Sequence, residues 1–256
     1  MVTIKSKREI ELMKEPCRIV AETHEMLEKA IRPGISTYEL DKMAEEYILS
    51  KGGIPSQKNY PSGVKGVPNF PATLCVSIND TVIHGIPSKK QIIKDGDIVS
   101  IDLTVYKNGF HGDAARTHLV GNVSPEARKL VEVTKQAFFE GIKYAKKGNR
   151  VGDISFAINE YVKKFGYSVV REFQGHGIGR QMHEEPGVPN YGKPGKGMRL
   201  EEGMTIAVEP MVIEKNPDIL ELEDGWTIVT EDGSLSAHYE NTILITENEV
   251  KVLTIL

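Results

Sequence analysis

The sequence predicts a duplicated α+β fold, in which each half has two helices followed by strands of a mainly antiparallel sheet, related by a pseudo-twofold axis. Helical spacing of apolar residues occurs twice in each half, and glycines separate the segments. One constant shift also aligns the helical parts of the two halves, placing Gly34 on Gly148 and Gly52 on Gly166. We expect residues 1–256 to form a single domain, because one core can serve a chain of this length.

The predicted elements follow in the same order in both halves. Helices are predicted at 4–30, 36–50, 131–145 and 152–165, each ending close to a glycine. Strands are predicted at 74–78, 98–106, 110–119, 204–209 and 237–245. The Pro- and Gly-rich segment 54–71 is predicted to be a long surface loop, and loops of that length are often functional.

Composition excludes several classes of function. The net charge is −4 with both signs interspersed, so neither a nucleic acid nor a membrane surface is an expected partner. No apolar run is long enough to cross a bilayer, and the N-terminal residues lack the apolar stretch of a signal peptide. Two cysteines cannot form a disulfide framework. We therefore expect a cytoplasmic protein.

An acidic hairpin is the first indication of a site. Asn108-Gly109 is a strong signal for a two-residue turn, and it predicts that Thr104 faces Asp113. Asp102 then shares a face with Asp113 as its diagonal neighbour, close enough for both to bind one ion. Two acids on a buried face repel unless a cation compensates them. The alternative is that one acid faces solvent while the other pairs with Arg116.

The second half repeats this acidic pattern. Glu209 ends an apolar strand at Pro210, and a second, slightly smaller shift, which aligns the strand segments of the two halves, places it on Asp102. Glu240 interrupts another apolar run, and His176 lies between two glycines that let the backbone approach a ligand closely and adopt a positive φ. Taken singly, each residue also fits a surface or strand-end role. Their symmetric placement favours one shared metal site.

Six stretches, with their spacing, carry a family resemblance: Ser77–Pro87, Ile101–Asp113, Gly175–Gly179, His183–Pro186, Glu209–Met211 and Gly225–Glu240. In these stretches the chain resembles the type I methionine aminopeptidases, which are metallohydrolases with the pita-bread fold. We expect the short, bacterial-like form, because the sequence has neither a Cys-rich extension nor an extra N-terminal domain. It also has no long insertion between His176 and Glu209.

The resemblance implies a function and a ligand set. The expected reaction removes the N-terminal methionine from nascent proteins, preferring a small second residue, by attack of a metal-bridged hydroxide on the first peptide bond. The implied metal ligands are Asp102, Asp113, His176, Glu209 and Glu240. An oxygen-rich site with one imidazole suits two divalent ions, with Co, Mn or Fe preferred and Zn or Ni possible. Coordination of the substrate's free α-amine would explain why only the first bond is cut.

The resemblance also implies residues that contact the substrate. His84 would hold the peptide nitrogen, His183 would stabilise the oxyanion, and Glu209 would relay the proton from the attacking water. The methionine side-chain pocket would consist of Phe70, Cys75, Met182 and Trp226. Met182 replaces an aromatic residue that is frequent in the family, and Phe70 replaces a frequent tyrosine. Peptide hydrolysis is therefore better supported than methionine selectivity.

The partners implied are nascent N-termini, with transient association with the ribosome, and we expect a monomer. Two rival functions remain open at this point. A proline-specific aminopeptidase would share the fold and differ in substrate preference. A non-catalytic binding protein on the same fold would be expected to lose ligands, whereas this sequence retains all five.

Overall fold

The computed structural model describes residues 2–256, and within them it contains four helices and fifteen strands. The helices are α1 (Lys7–Ala30), α2 (Thr37–Ser50), α3 (Pro125–Ile142) and α4 (Val151–Lys163). The strands of the first half are β1 (Ile54–Pro55), β2 (Cys75–Ile78), β3 (Thr81–Ile83), β4 (Ile98–Lys107) and β5 (Phe110–Leu119). Those of the second half are β6 (Ser168–Val169), β7 (Gln174–Gly177), β8 (Glu184–Pro189), β9 (Thr205–Val208), β10 (Met211–Ile213), β11 (Ile219–Glu221), β12 (Ile228–Thr230), β13 (Ser236–His238), β14 (Asn241–Ile245) and β15 (Val250–Val252).

The helix pairs are confirmed, but α1 begins at Lys7 rather than at residue 4, and both ends of α3 differ, since it runs from Pro125 to Ile142. Ser6 and Ser36 cap α1 and α2, and each forms a capping box with the glutamate three residues later. The prediction for α3 started at residue 131, whereas the helix starts at Pro125 behind the N-cap Ser124. Glu126, Arg128 and Lys129 near its start are exposed, but Ala127 and Leu130 are buried at helical spacing, so the apolar pattern already extends back to Ala127 without revealing the first residue. The Ser-Pro start signal would have done so.

The first half builds a four-stranded sheet. Strand β4 pairs with β1, β2 and β5, and all of these pairs are antiparallel. The hairpin register is confirmed, because Thr104 faces Asp113 and Asp102 faces Ala115. The segment 54–71 is mostly irregular, as predicted, except that β1 adds two residues to the edge of β4. Strand β3, which was not predicted, joins a separate sheet with β12 and β11.

The second half builds a five-stranded sheet in the order β15-β14-β9-β7-β8. The strand predicted at 237–245 is wrong as one element, since it divides at Tyr239–Glu240 into β13 and β14. The division has a cause in the partner strands. Strand β13 pairs with β10 and β14 pairs with β9, and Glu209-Pro210 separates β9 from β10. Because proline cannot continue a hydrogen-bonded ladder, the segments 205–213 and 236–245 both pass from one sheet to the other at the level of Pro210.

Two apolar clusters, one for each half, lie on either side of a seam between β5 and β14. The first-half cluster packs α1 and α2 on β4, and the second-half cluster packs α3 and α4 on β9 and β14. Across the seam, the backbones of Ala115 and Glu240 bond each other in both directions. Thr242 Oγ1 accepts from the Asp113 N–H at 3.0 Å and donates to the Asp113 carbonyl at 2.9 Å. Acids from both halves are therefore adjacent.

Within residues 2–256, no helix combines the length and the apolar character needed to cross a bilayer. Cys17 and Cys75 are both free thiols and both buried. Cys17 packs where α1 crosses β5, beside Gly112. A Cβ on Gly112 would approach the Cys17 backbone nitrogen to 2.7 Å, so only glycine lets the helix lie this close to the acidic hairpin.

Candidate metal centre

The residues predicted for the site line one cavity of about 140 Å³. It contains the acidic and imidazole side chains of both halves together with the predicted pocket residues. These are Phe70, Cys75, His84, Asp102, Asp113, His176, Met182, His183, Glu209, Trp226 and Glu240. The cavity lies where the two halves meet, so neither half forms it alone.

The first pair of acids comes from the β4–β5 hairpin. Alternation along β5 directs Asp113 to the cavity and Arg116 to the opposite face. Arg116 donates to the carbonyls of Ala115 and Glu240 and to Asn241 Oδ1. It therefore pairs with neither Asp102 nor Asp113, and the alternative interpretation of the hairpin is wrong.

The second pair of acids lies at the break between sheets. Glu209 directly follows Val208, the last residue of β9, and Glu240 directly precedes Asn241, the first residue of β14. Val208 and Asn241 face each other in the ladder between these two strands. Because the ladder stops at Pro210, both side chains can turn into the cavity. Glu240 is buried, with 2 % of its surface exposed.

His176 completes the group from β7. Its Nδ1 is 2.8 Å from the Gly177 carbonyl, so an Nδ1–H that donates there leaves Nε2 free as a ligand atom. Nε2 lies 3.8 Å from Asp113 Oδ2 and 3.7 Å from Glu209 Oε1. The expectation about the flanking glycines needs correction, because Gly175 and Gly177 do not have positive φ. Glycine is needed at both positions because a Cβ would lie 2.4 Å from a carbonyl oxygen of β9 at Gly175 and 2.2 Å from one of β8 at Gly177.

The electrostatics of this cavity favour a bound cation. Burial raises the pKa of Asp102 to about 7. Burial also raises the pKa of Asp113, Glu209 and Glu240 well above the usual range, and repulsion between the acids adds to the effect. Burial lowers the pKa of His176 to about 3, so its imidazole is neutral and can act as a ligand.

The donor set fits a hard divalent metal. Ligand atoms of Asp113, His176 and Glu240 lie within 4.8 Å of one another. Among the residues described, Asp113 Oδ1 and Glu240 Oε1 are buried without a hydrogen-bond partner. Unpaired buried carboxylate oxygens are costly, and a divalent ion would satisfy them. Carboxylates with one imidazole suit such an ion better than a thiolate site would.

Two further histidines stand at the cavity. His84 has a φ of 58°, an uncommon value for a residue with a side chain, and burial lowers its pKa to about 4. His183 is exposed, and its ring centroid lies 4.4 Å from that of His176. Burial of part of the ring lowers the pKa of His183 as well. Both imidazoles are therefore neutral at pH 7, when each offers one N–H donor.

An apolar pocket adjoins the acids. Phe70 and Trp226 meet edge to face at 5.2 Å, and the Trp226 indole N–H donates to the Pro68 carbonyl at 2.8 Å. Cys75 and Met182 are buried beside the same cavity. The sequence-predicted pocket residues thus lie together and next to the acidic group.

Sequence reasoning missed three residues. Tyr60 lies outside the predicted site, but its hydroxyl is hydrogen-bonded to His183 Nδ1 at 2.8 Å. Gln57 lines the cavity. His238 is buried with Nε2 3.9 Å from Glu209 Oε2. Alternation with Glu240 could have indicated His238, whereas no local pattern distinguishes Gln57 and Tyr60 within an irregular loop.

Comparison with known proteins identifies relatives over the whole chain. Residues 11–247 match the model of the metallopeptidase family M24. A methionine aminopeptidase of Clostridium acetobutylicum is 51 % identical over 255 residues, which are 100 % of this chain and 99 % of the relative. The crystal structure of methionine aminopeptidase from Thermotoga maritima superimposes with a TM-score of 0.96 at 42 % identity and full coverage of both chains. A prolidase from Pyrococcus furiosus has a TM-score of 0.78 at 25 % identity, over 99 % of this chain and 65 % of that one.

Proposed function

The chain belongs to metallopeptidase family M24, with the pita-bread fold, and from this premise we infer that it is a metal-dependent hydrolase that removes N-terminal methionine from proteins and peptides. The observation that carries the inference is the cavity that joins five potential metal ligands to an apolar pocket. Such a cavity can hold the free amine of a first residue beside acids and its apolar side chain beside Phe70 and Trp226.

We assign the metal-binding role to Asp102, Asp113, His176, Glu209 and Glu240, and we propose that they hold two divalent ions, with Co, Mn or Fe preferred. Support comes from the proximity of their ligand atoms and from the unpaired carboxylate oxygens. Metal ions held by these residues would lower the pKa of a water molecule and polarise the scissile carbonyl.

The remaining chemistry is assigned to three side chains. Glu209, which lies beside the other acids of the cavity, accepts the proton of the attacking water and passes it to the leaving amine. His183 donates a hydrogen bond to the carbonyl oxygen as it gains negative charge. Tyr60 holds His183 Nδ1, which orients the imidazole for this purpose. His84 binds the peptide nitrogen of the substrate.

Replacing His183 by Ala should lower kcat by roughly 10²-fold, as expected for loss of one oxyanion donor, with a smaller change in KM. Tyr60→Phe should lower kcat less, because the imidazole remains and loses only its orienting partner. Steady-state kinetics on Met-Ala-Ser would measure both. A His183→Ala effect confined to KM would contradict the oxyanion role.

A peptide panel tests the function as a whole. The metal-loaded protein should cut Met-Ala-Ser, cut Met-Leu-Ser more slowly, and leave acetyl-Met-Ala-Ser intact, because the acidic cavity recognises a free amine. A proline-specific aminopeptidase would instead prefer X-Pro peptides, and a binding protein would turn over none of them. Either result would overturn the proposal.

We further propose a single domain that acts as a cytoplasmic monomer on nascent chains, through transient contact with the ribosome. The free cysteines support a reducing compartment. Analytical ultracentrifugation of the purified protein, together with co-sedimentation with ribosomes at low and high salt, tests these assignments.

A further inference from the structure

A second, larger groove of about 880 Å³ opens beside the metal cavity, and His183 lines both. One wall is the N-terminal segment, residues 3–5, with Glu9. The other wall contains Phe110, Arg180 and residues 183–185. The volume is within the range of roughly 300–1,000 Å³ that is common for ligand-binding clefts. None of the roles assigned so far requires this groove.

The N-terminal wall is firmly attached. The Lys5 backbone N–H donates to the Gly203 carbonyl at 2.8 Å, and Lys5 Nζ lies 2.8 Å from Glu184 Oε2. Both side chains of this ion pair are nearly inaccessible, at 4 % and 8 % exposure. The pair therefore fixes the N-terminal segment to the residue that directly follows His183.

The rim of the groove has mixed chemistry. Ile4 is 54 % exposed and offers apolar surface. Arg180 lies 4.7 Å over the Phe110 ring, and its Nη2 bonds Glu9 at 2.9 Å. Glu185 is exposed, and among residues 2–256 it has no ion-pair partner. The groove thus holds two ion pairs and one uncompensated carboxylate, so it should favour a basic side chain.

On its apolar side the metal cavity is bounded by Trp226, which packs against the segment 67–68. Trp226 donates to the Pro68 carbonyl at 2.8 Å, and a Cβ on Gly225 would lie 2.7 Å from Val67. Because His183 lines both the cavity and the groove, a substrate whose first residue fills the cavity can continue past this histidine into the groove. The groove begins at that histidine.

We propose that the groove between the N-terminal segment and residues 180–185 binds the third to fifth residues of the substrate and favours a basic residue there through Glu185. This inference rests on the proposed function and adds a specificity site to it. The substrate class is then an extended N-terminal segment, for which a dipeptide is an incomplete substrate.

Kinetics on Met-Ala-Ser-Lys-Ser and Met-Ala-Ser-Glu-Ser test the charge preference. The lysine peptide should have a kcat/KM about two- to fivefold higher at low salt, the size expected for one exposed ion pair, and the ratio should approach one in 1 M salt. Glu185→Gln should bring the ratio near one at low salt. Glu132→Gln, an exposed glutamate on α3, should keep the wild-type ratio. Equal ratios in wild type and Glu185→Gln would overturn the proposal.

A cross-linking experiment tests the location independently. A Met-Ala peptide with a reduced first peptide bond and benzoylphenylalanine at position four would be photolysed with the metal-loaded protein. Labelling of residues 3–9 or 180–185 supports the groove, whereas labelling of 61–68, labelling elsewhere or no labelling overturns it. If Met-Ala-Ser is cleaved but the lysine and glutamate peptides have equal kcat/KM, only the groove proposal is rejected. If no peptide is cleaved, the proposed function itself is rejected.

Discussion

Glu209→Gln is expected to lower kcat by about 10²–10⁴-fold, because the amide can neither accept a proton nor serve as an anionic ligand. The fold should survive. Burial and the charges of Asp102 and Asp113 raise the pKa of Glu209, so a neutral side chain relieves repulsion in the metal-free protein. Its thermal midpoint should therefore be unchanged or higher than that of the wild type.

The control for this variant is Glu221→Gln, since Glu221 is an exposed glutamate on β11. It should retain wild-type kinetics and a wild-type midpoint. Steady-state assays and thermal melts of both variants provide the measurement. Substantial turnover by Glu209→Gln would refute the role assigned to this carboxylate, and a strongly lowered midpoint would show that the loss of activity reflects unfolding.

The second large effect is stabilisation by metal. At a free Mn²⁺ or Co²⁺ concentration 100 times Kd, binding to the folded state alone adds about 2.7 kcal/mol to the free energy of unfolding. For a chain of this size, the thermal midpoint should rise by roughly 5–10 °C. The double variant Asp113→Asn, Glu240→Gln removes two of the three clustered ligands and should lose most of this shift. An equal shift in both proteins would place the metal elsewhere.

The metal effect should also depend on pH. The folded-state pKa values of the four acids are raised by burial. Without metal, the folded chain therefore holds protons that the unfolded chain has already released, and stability falls as pH rises above the unfolded pKa values. A metal ion must displace those protons to bind, so the affinity for metal increases as the pH rises over the same range. The metal-induced shift should therefore increase from pH 5.5 to pH 7.5.

Local sequence signals were enough for much of the scaffold. Apolar spacing placed α2, and Asn108-Gly109 set the register that puts Asp102 and Asp113 on one face. Both signals act between residues close in sequence, so they can be interpreted without the rest of the chain. An acid in an apolar strand is likewise visible locally, because burying it is costly without compensation.

The family motifs identified the other site residues, but local sequence patterns alone do not predict that these residues lie close together in space. Glu240 meets Asp113 only because β14 and β5 bond across the seam, at the level where Pro210 stops the ladder. Tyr60 reaches His183 from an irregular loop, and His238 reaches Glu209 from β13. Alternation along a strand determines the face on which a side chain lies. Which distant segment covers that face depends on the packing of the two halves, and that packing is a property of the tertiary structure.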